Sequence, residues 1–170
     1  MIKSLRLLFI LVVSLNAAKA QTSTPLHIGV IGLTHTHVHW IFNSEKRGEI
    51  IIAGIVEPNK ELALRYAQQY QFPLSKLYNS IEELVNAQKP EAVAAFGTIA
   101  EHLKVVETCA PLGIHVMVEK PLALNAKEAI KMQSLAARHN IHLLVNYETT
   151  WYPTVHKAYD LLQADSVGSL

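Results

Sequence analysis

Residues 27–40 read HIGVIGLTHTHVHW. An apolar run carries one glycine, Gly29, and ends at a second, Gly32; histidines then stand at every other position, His35, His37 and His39. Three readings are open. A buried strand, a glycine turn and a helix open a nucleotide-binding unit, with phosphate received at the helix N-terminus. An H-x-H pair past a strand, or His35 and His39 on one helix face, is a metal-ligand pattern. The histidines can also be inert. The glycine motif is incomplete. Aligned on Gly32, G-x-G-x-x-G is met by Gly32-Leu33-Thr34-His35-Thr36-His37, which keeps only the first glycine. Thr34 places a Cβ where a pyrophosphate would approach, while its hydroxyl can donate to phosphate. His37 would have to point away from the sheet.

Working outward, short apolar runs alternate with helical patterns. Strands are expected at Leu26–Ile31, Glu49–Val56, Ala92–Phe96, Ile114–Val118 and Ile141–Val145. Helices are expected over 36–46, after the capping residue Asn59, after the Ser80/Glu83 capping box, over Glu101–Leu112 with Gly113 closing it, after the Asn125/Glu128 capping box, and from Pro153. This alternation predicts an α/β fold, a doubly wound, Rossmann-like parallel sheet. Ligands of such sheets sit at the carboxyl ends of the strands. Those ends read Gly32–His39, Glu57-Pro58, Gly97-Thr98, Glu119-Lys120-Pro121 and Asn146-Tyr147-Glu148. A carboxylate at Glu57 suits a ribose diol and disfavours a 2′-phosphate, which points to NAD over NADP. H-x-H also opens metal-dependent hydrolase barrels. Such barrels need about 250 residues, and the other strand ends offer no matching His or Asp set. The nucleotide loop is therefore preferred and no metal is assigned.

Composition narrows the class. The 170 residues hold 15 Lys+Arg against 14 Asp+Glu, with no basic stripe, so nucleic acid is not an expected partner. Lys3 and Arg6 precede the apolar stretch Leu7–Leu15, and Ala18-Lys19-Ala20 follows. This pattern reads as a signal peptide over residues 1–20, with the mature chain starting at Gln21. The expected location is periplasmic or extracellular, with no membrane association after cleavage. Cys109 is the lone cysteine, so no internal disulfide forms. Its apolar neighbours Val105 and Val106 make it a buried small hydrophobe.

The passage GIHVMVEKPLALNAKEA resembles the Gfo/Idh/MocA oxidoreductases, the family of glucose–fructose oxidoreductase and inositol dehydrogenase. GIVEPNKELALRYAQQYQFP, FGTIAEHLKVVETCAPLGIHV and LLVNYETTWYPTVHKA are similar to the flanking segments of that family's nucleotide domain. The resemblance covers about residues 25–170. It implies a dinucleotide-binding Rossmann domain over 21–170 that takes NAD and serves a sugar or polyol-like substrate. By the same resemblance Lys120 is the catalytic lysine at the reacting hydroxyl, where an ammonium shares its proton or stabilises an alkoxide. Glu119 lies beside the nicotinamide ribose and Glu57 at the adenine ribose. Thr98 and His102 line the pyrophosphate and nicotinamide, and Tyr147 and Trp151 mark the turn after the sixth family strand. Gly32, Leu33, Thr34 and His35 form the phosphate loop.

The family's second, mostly antiparallel domain supplies the substrate pocket and a homo-oligomer interface, and the chain stops where that domain would begin. The expected activity is that of an incomplete NAD(P)-dependent oxidoreductase, inactive as this chain alone. Two alternatives are an NAD-dependent glycoside hydrolase of the same fold and a non-catalytic exported binding protein.

Overall fold

In the computed structural model, residues 24–166 and 168 are described. The signal peptide expected over 1–20, and the mature start at Gln21, lie outside them. Six strands form one parallel sheet: β1 (Leu26–Ile31), β2 (Ile50–Val56), β3 (Leu77–Tyr78), β4 (Ala92–Ala95), β5 (His115–Glu119) and β6 (Leu143–Asn146), in the order β3-β2-β1-β4-β5-β6. The order reverses between β1 and β4, so the switch point lies where their carboxyl ends diverge. The helices are α1 (Val38–Lys46), α2 (Lys60–Tyr70), α3 (Ile81–Gln88), α4 (His102–Cys109), α5 (Ala126–His139) and α6 (Pro153–Gln163).

Side-chain caps set where helices begin. Asn59, Ser80 and Asn125 each accept the backbone N–H three residues on, from Leu62, Glu83 and Glu128. The reverse half of both predicted boxes lands one residue early: Glu83 and Glu128 reach the N–H groups of Asn79 and Leu124. Strand ends shift from the sequence expectation by one or two residues, β5 to His115–Glu119 and β6 to Leu143–Asn146 among them, and three larger differences stand out. Helix α1 starts at Val38, because 33–37 form bends and turns after Gly32. The expected 101–112 helix has 3-10 turns at both ends, over Ile99–Glu101 and Ala110–Leu112. Strand β3 was not expected, since two residues carry no readable period.

Each sheet face carries an apolar layer. One packs Val93, Val116 and Val118 against Leu84, Val105, Val106 and Met132 of α3–α5. The other packs Val30, Ile52 and Ile55 against Val38, Phe42 and Tyr66 of α1 and α2. Cys109 sits in the first layer, and burial pushes its thiol up to about 12, which leaves it an inert packing residue. Helix α6 buries none of its residues; Val155, Tyr159, Leu161 and Leu162 are exposed.

Candidate cofactor cleft and histidine cluster

Gly32 follows β1 directly with φ +81°, and a Cβ there would meet Gly97 Cα and N at 2.5 Å. The two strand-end loops can touch only because Gly32 carries no side chain. The contact is sealed by the next residues: Thr34 Oγ1 and His35 N both donate to the Phe96 carbonyl, at 3.0 and 2.9 Å. Beside it opens a cleft of about 460 Å³ whose lining includes Gly32, Thr34, Glu57, Asn59, Thr98 and His102. Five expected cofactor residues therefore meet at one opening.

Their roles differ from the sequence expectation in several places. Glu57 is buried, and its two oxygens accept Leu33 N–H at 2.7 Å and Asn59 N–H at 2.8 Å. It ties the glycine turn to the start of α2, and only its remaining lone pairs are left for a ligand in the cleft. Leu33 is buried in the apolar layer, so its side chain is core and not a cofactor contact. The Thr34 hydroxyl is spent on Phe96 and not held for phosphate. Thr98 caps the turn that follows by hydrogen bonds with Glu101. His102 is 1% exposed; its Nδ1 donates to the Leu122 carbonyl at 3.1 Å, while Nε2 is buried without a partner. In the neutral ring that Nε2 is an acceptor, one that a ligand hydroxyl in the cleft would satisfy.

The remaining candidates gather on the other side of β1. Glu119 ends β5 and is 2% exposed. Its Oε1 faces His37 Nδ1 at 2.9 Å, His35 Nδ1 at 3.8 Å and Asn146 Nδ2 at 2.6 Å. His37 Nε2 lies 3.3 Å from Glu148 Oε1, and its ring stacks on Trp40 at 4.4 Å. Lys120 Nζ is 3.3 Å from His35 Nε2, and the Lys120–Pro121 peptide is cis. Burial holds the His35 imidazole below the usual histidine range; His37 and Lys120 push the same way, against Glu119 and Glu148. Tyr147 is exposed and lines a separate groove with Lys120, Pro121 and Glu148. Trp151 closes a 3-10 turn, and its side chain lies outside the described part.

His39 leaves the group. It sits inside α1, contacts Tyr70 Oη and stacks on Tyr66. His35 lies before the helix, so the i, i+4 metal pair expected as one alternative does not exist. The ligand-type atoms of His35, His37 and Glu119 nevertheless all lie within 4.8 Å of one another. Asn146, Glu148 and Trp40 were missed as site residues. The strand-end rule already pointed to the first two, since both follow or end β6.

A profile described as "Oxidoreductase family, NAD-binding Rossmann fold" matches residues 26–147. The rhizopine catabolism protein MocA of Rhizobium meliloti is 26% identical over 147 residues, 86% of this chain and 45% of that protein. The trans-1,2-dihydrobenzene-1,2-diol dehydrogenase of Danio rerio is 36% identical over 110 residues, 64% of this chain and 32% of its own length. The chain thus spans less than half of either relative. Among solved structures, myo-inositol 2-dehydrogenase from Lactobacillus plantarum superposes with a TM-score of 0.75 at 16% identity, over 86% of this chain and 43% of that one, and shows the same fold. With the strand order, the glycine contact at the switch point and the Glu119-Lys120-Pro121 strand end in place, this chain belongs to the Gfo/Idh/MocA oxidoreductase family, of which it carries the NAD-binding Rossmann domain.

Proposed function

We propose that the chain is the cofactor-holding part of an exported NAD-dependent dehydrogenase acting on a hydroxyl of a sugar or polyol-like molecule. One observation carries the reading: the cleft and Lys120 share one carboxyl edge, on either side of the β1 loop. The fit to a dinucleotide rests on the unpartnered His102 Nε2 buried behind the cleft wall and on the Gly32–Gly97 approach, which a Cβ on Gly32 would block. Bound NAD supplies the hydride acceptor. Glu57 offers its free lone pairs to the adenine ribose and holds the glycine turn in place. Lys120 Nζ would hold the substrate hydroxyl and, as an ammonium, stabilise the negative charge that develops on its oxygen as the proton leaves and the carbonyl forms. The exposed apolar side chains Val155, Tyr159, Leu161 and Leu162 of α6 suit a further domain of the whole protein.

Glu57 should repel a 2′-phosphate, so NAD should bind roughly tenfold or more tightly than NADP. Titration of both against intrinsic tryptophan fluorescence measures this. Equal affinities would remove Glu57 from the ribose site.

Export rests on the basic start, the apolar core and Ala18-Lys19-Ala20. N-terminal sequencing of protein recovered from the exported fraction should read from Gln21; a sequence starting at Met1 would sink the export reading.

A second reading, an exported binding protein that keeps the fold without the reaction, has its own observation. The N–H groups of Leu33, His35 and His37 are already bonded within the protein and are not free for phosphate. Failure of both dinucleotides to saturate the protein would favour it.

A further inference from the structure

The cluster beside Glu119 is poorly matched in charge and in hydrogen bonding. Glu119 is nearly buried and Glu148 is 22% exposed, and among the described residues the cationic partners of both are histidines alone. Glu148 Oε2 is buried without a hydrogen bond of normal geometry, with the Tyr152 hydroxyl the polar group beside the carboxylate. The imidazoles fit this badly. His37 faces a carboxylate oxygen at each ring nitrogen, at 2.9 and 3.3 Å. His35 faces a donor at each: the His37 N–H at Nδ1 and Lys120 Nζ at Nε2, both at 3.3 Å. A neutral imidazole has one donor and one acceptor, so His35 is not satisfied by a donor at each nitrogen, and His37 satisfies both carboxylates only as a doubly protonated ring. Buried carboxylates are normally paired with a cation or bound to a metal.

We infer that His35, His37 and Glu119 form a binding site for one divalent cation of the zinc class. Two imidazole nitrogens and a carboxylate oxygen are a borderline donor set, which selects zinc, cobalt or nickel over magnesium or calcium. Bonds of about 2.0–2.1 Å place tetrahedral ligands roughly 3.3 Å apart. The present separations of 2.9 and 3.8 Å from Glu119 Oε1 bracket that value.

The cation relieves the carboxylates, at the cost of the His37 N–H hydrogen bond to His35 Nδ1. It takes the lone pair of both Nδ1 atoms, replacing the proton between His37 and Glu119. His37 Nε2–H then donates to Glu148, the orienting carboxylate that metal-bound histidines use. Asn146 Nδ2 already holds Glu119 Oε1 at 2.6 Å in the same supporting manner. His35 Nε2 keeps its hydrogen, and Lys120, an exposed side chain, turns away from it. Three protein ligands leave the remaining position open toward the edge where Lys120 lies, as in metal sites that also bind a small oxygen ligand.

The test uses the protein purified without chelator, then stripped and titrated with zinc and with cobalt. Expected are one ion per chain and a cobalt visible spectrum of low coordination number. His35→Ala and His37→Ala should each weaken zinc about 100-fold or more, and Glu148→Gln about 10- to 100-fold, in line with a supporting partner. Far-UV circular dichroism checks that each variant folds; both histidines lie outside the core, so loss of the fold is not expected. Absence of one-to-one zinc or cobalt binding to the wild type would overturn the inference. So would binding that is unchanged in both histidine variants, or binding of magnesium alone. NAD titration of the stripped protein tests the dinucleotide reading separately, so either can fail without the other.

Discussion

Replacing Lys120 by alanine in the whole enzyme should lower turnover by roughly 10²–10⁴, the range for a lost acid–base group. NAD affinity should change far less, because the 460 Å³ cleft does not include Lys120 among its lining residues. The side chain reaches the edge because Glu119 is the last residue of β5 and Lys120 follows it directly into solvent. Val118 and Glu119 are both buried at the end of β5, and Lys120 is the first residue beyond the strand. Lys120→Met separates charge from packing, since it keeps most of the stem. The measurement is steady-state kcat and KM beside a dinucleotide Kd for each variant. Turnover within a few-fold of wild type in both would show that Lys120 is not the catalytic lysine.

Gly32→Ala should unfold the protein at a much lower temperature. The residue has φ +81°, which costs an L side chain about 1–2 kcal/mol. Its new Cβ would lie 2.5 Å from backbone atoms of Gly97, which cannot rotate aside as a side chain could. Forced overpacking of this kind adds about 1–3 kcal/mol. Together these predict a loss of roughly 2–5 kcal/mol and a fall in Tm of roughly 5–15 °C by thermal denaturation. NAD binding should fall with it, since the same turn forms the floor of the cleft. A Tm within about 2 °C of wild type would mean that the β1 and β4 loops do not touch in solution.

The sheet was legible because its signals are local. Apolar runs bounded by Gly32, Gly97 and Gly113 mark strand ends and helix ends, and Asn59, Ser80 and Asn125 announce helices by the hydrogen bonds they make three residues on. Parallel strands joined by helical crossovers leave few topologies open. Strand-end position alone was enough to single out Glu57, Thr98, Glu119 and Lys120. What a strand-end residue does there is not a local property. Glu57 was expected to face ribose, yet its oxygens first bind Leu33 and Asn59, because the β1 and β2 ends are adjacent only in the folded sheet. The three histidines repeat at one spacing in sequence and part in space. Helix α1 starts at Val38, so His39 follows the helical turn onto Tyr66 and Tyr70, while His35 and His37 stay in the loop and meet Glu119. That contact joins residues 82 positions apart. Periodicity and capping act over a few residues and determined the elements from the sequence alone. Only the parallel register of β1, β4, β5 and β6, which sets their carboxyl ends side by side, decided which side chains share a site.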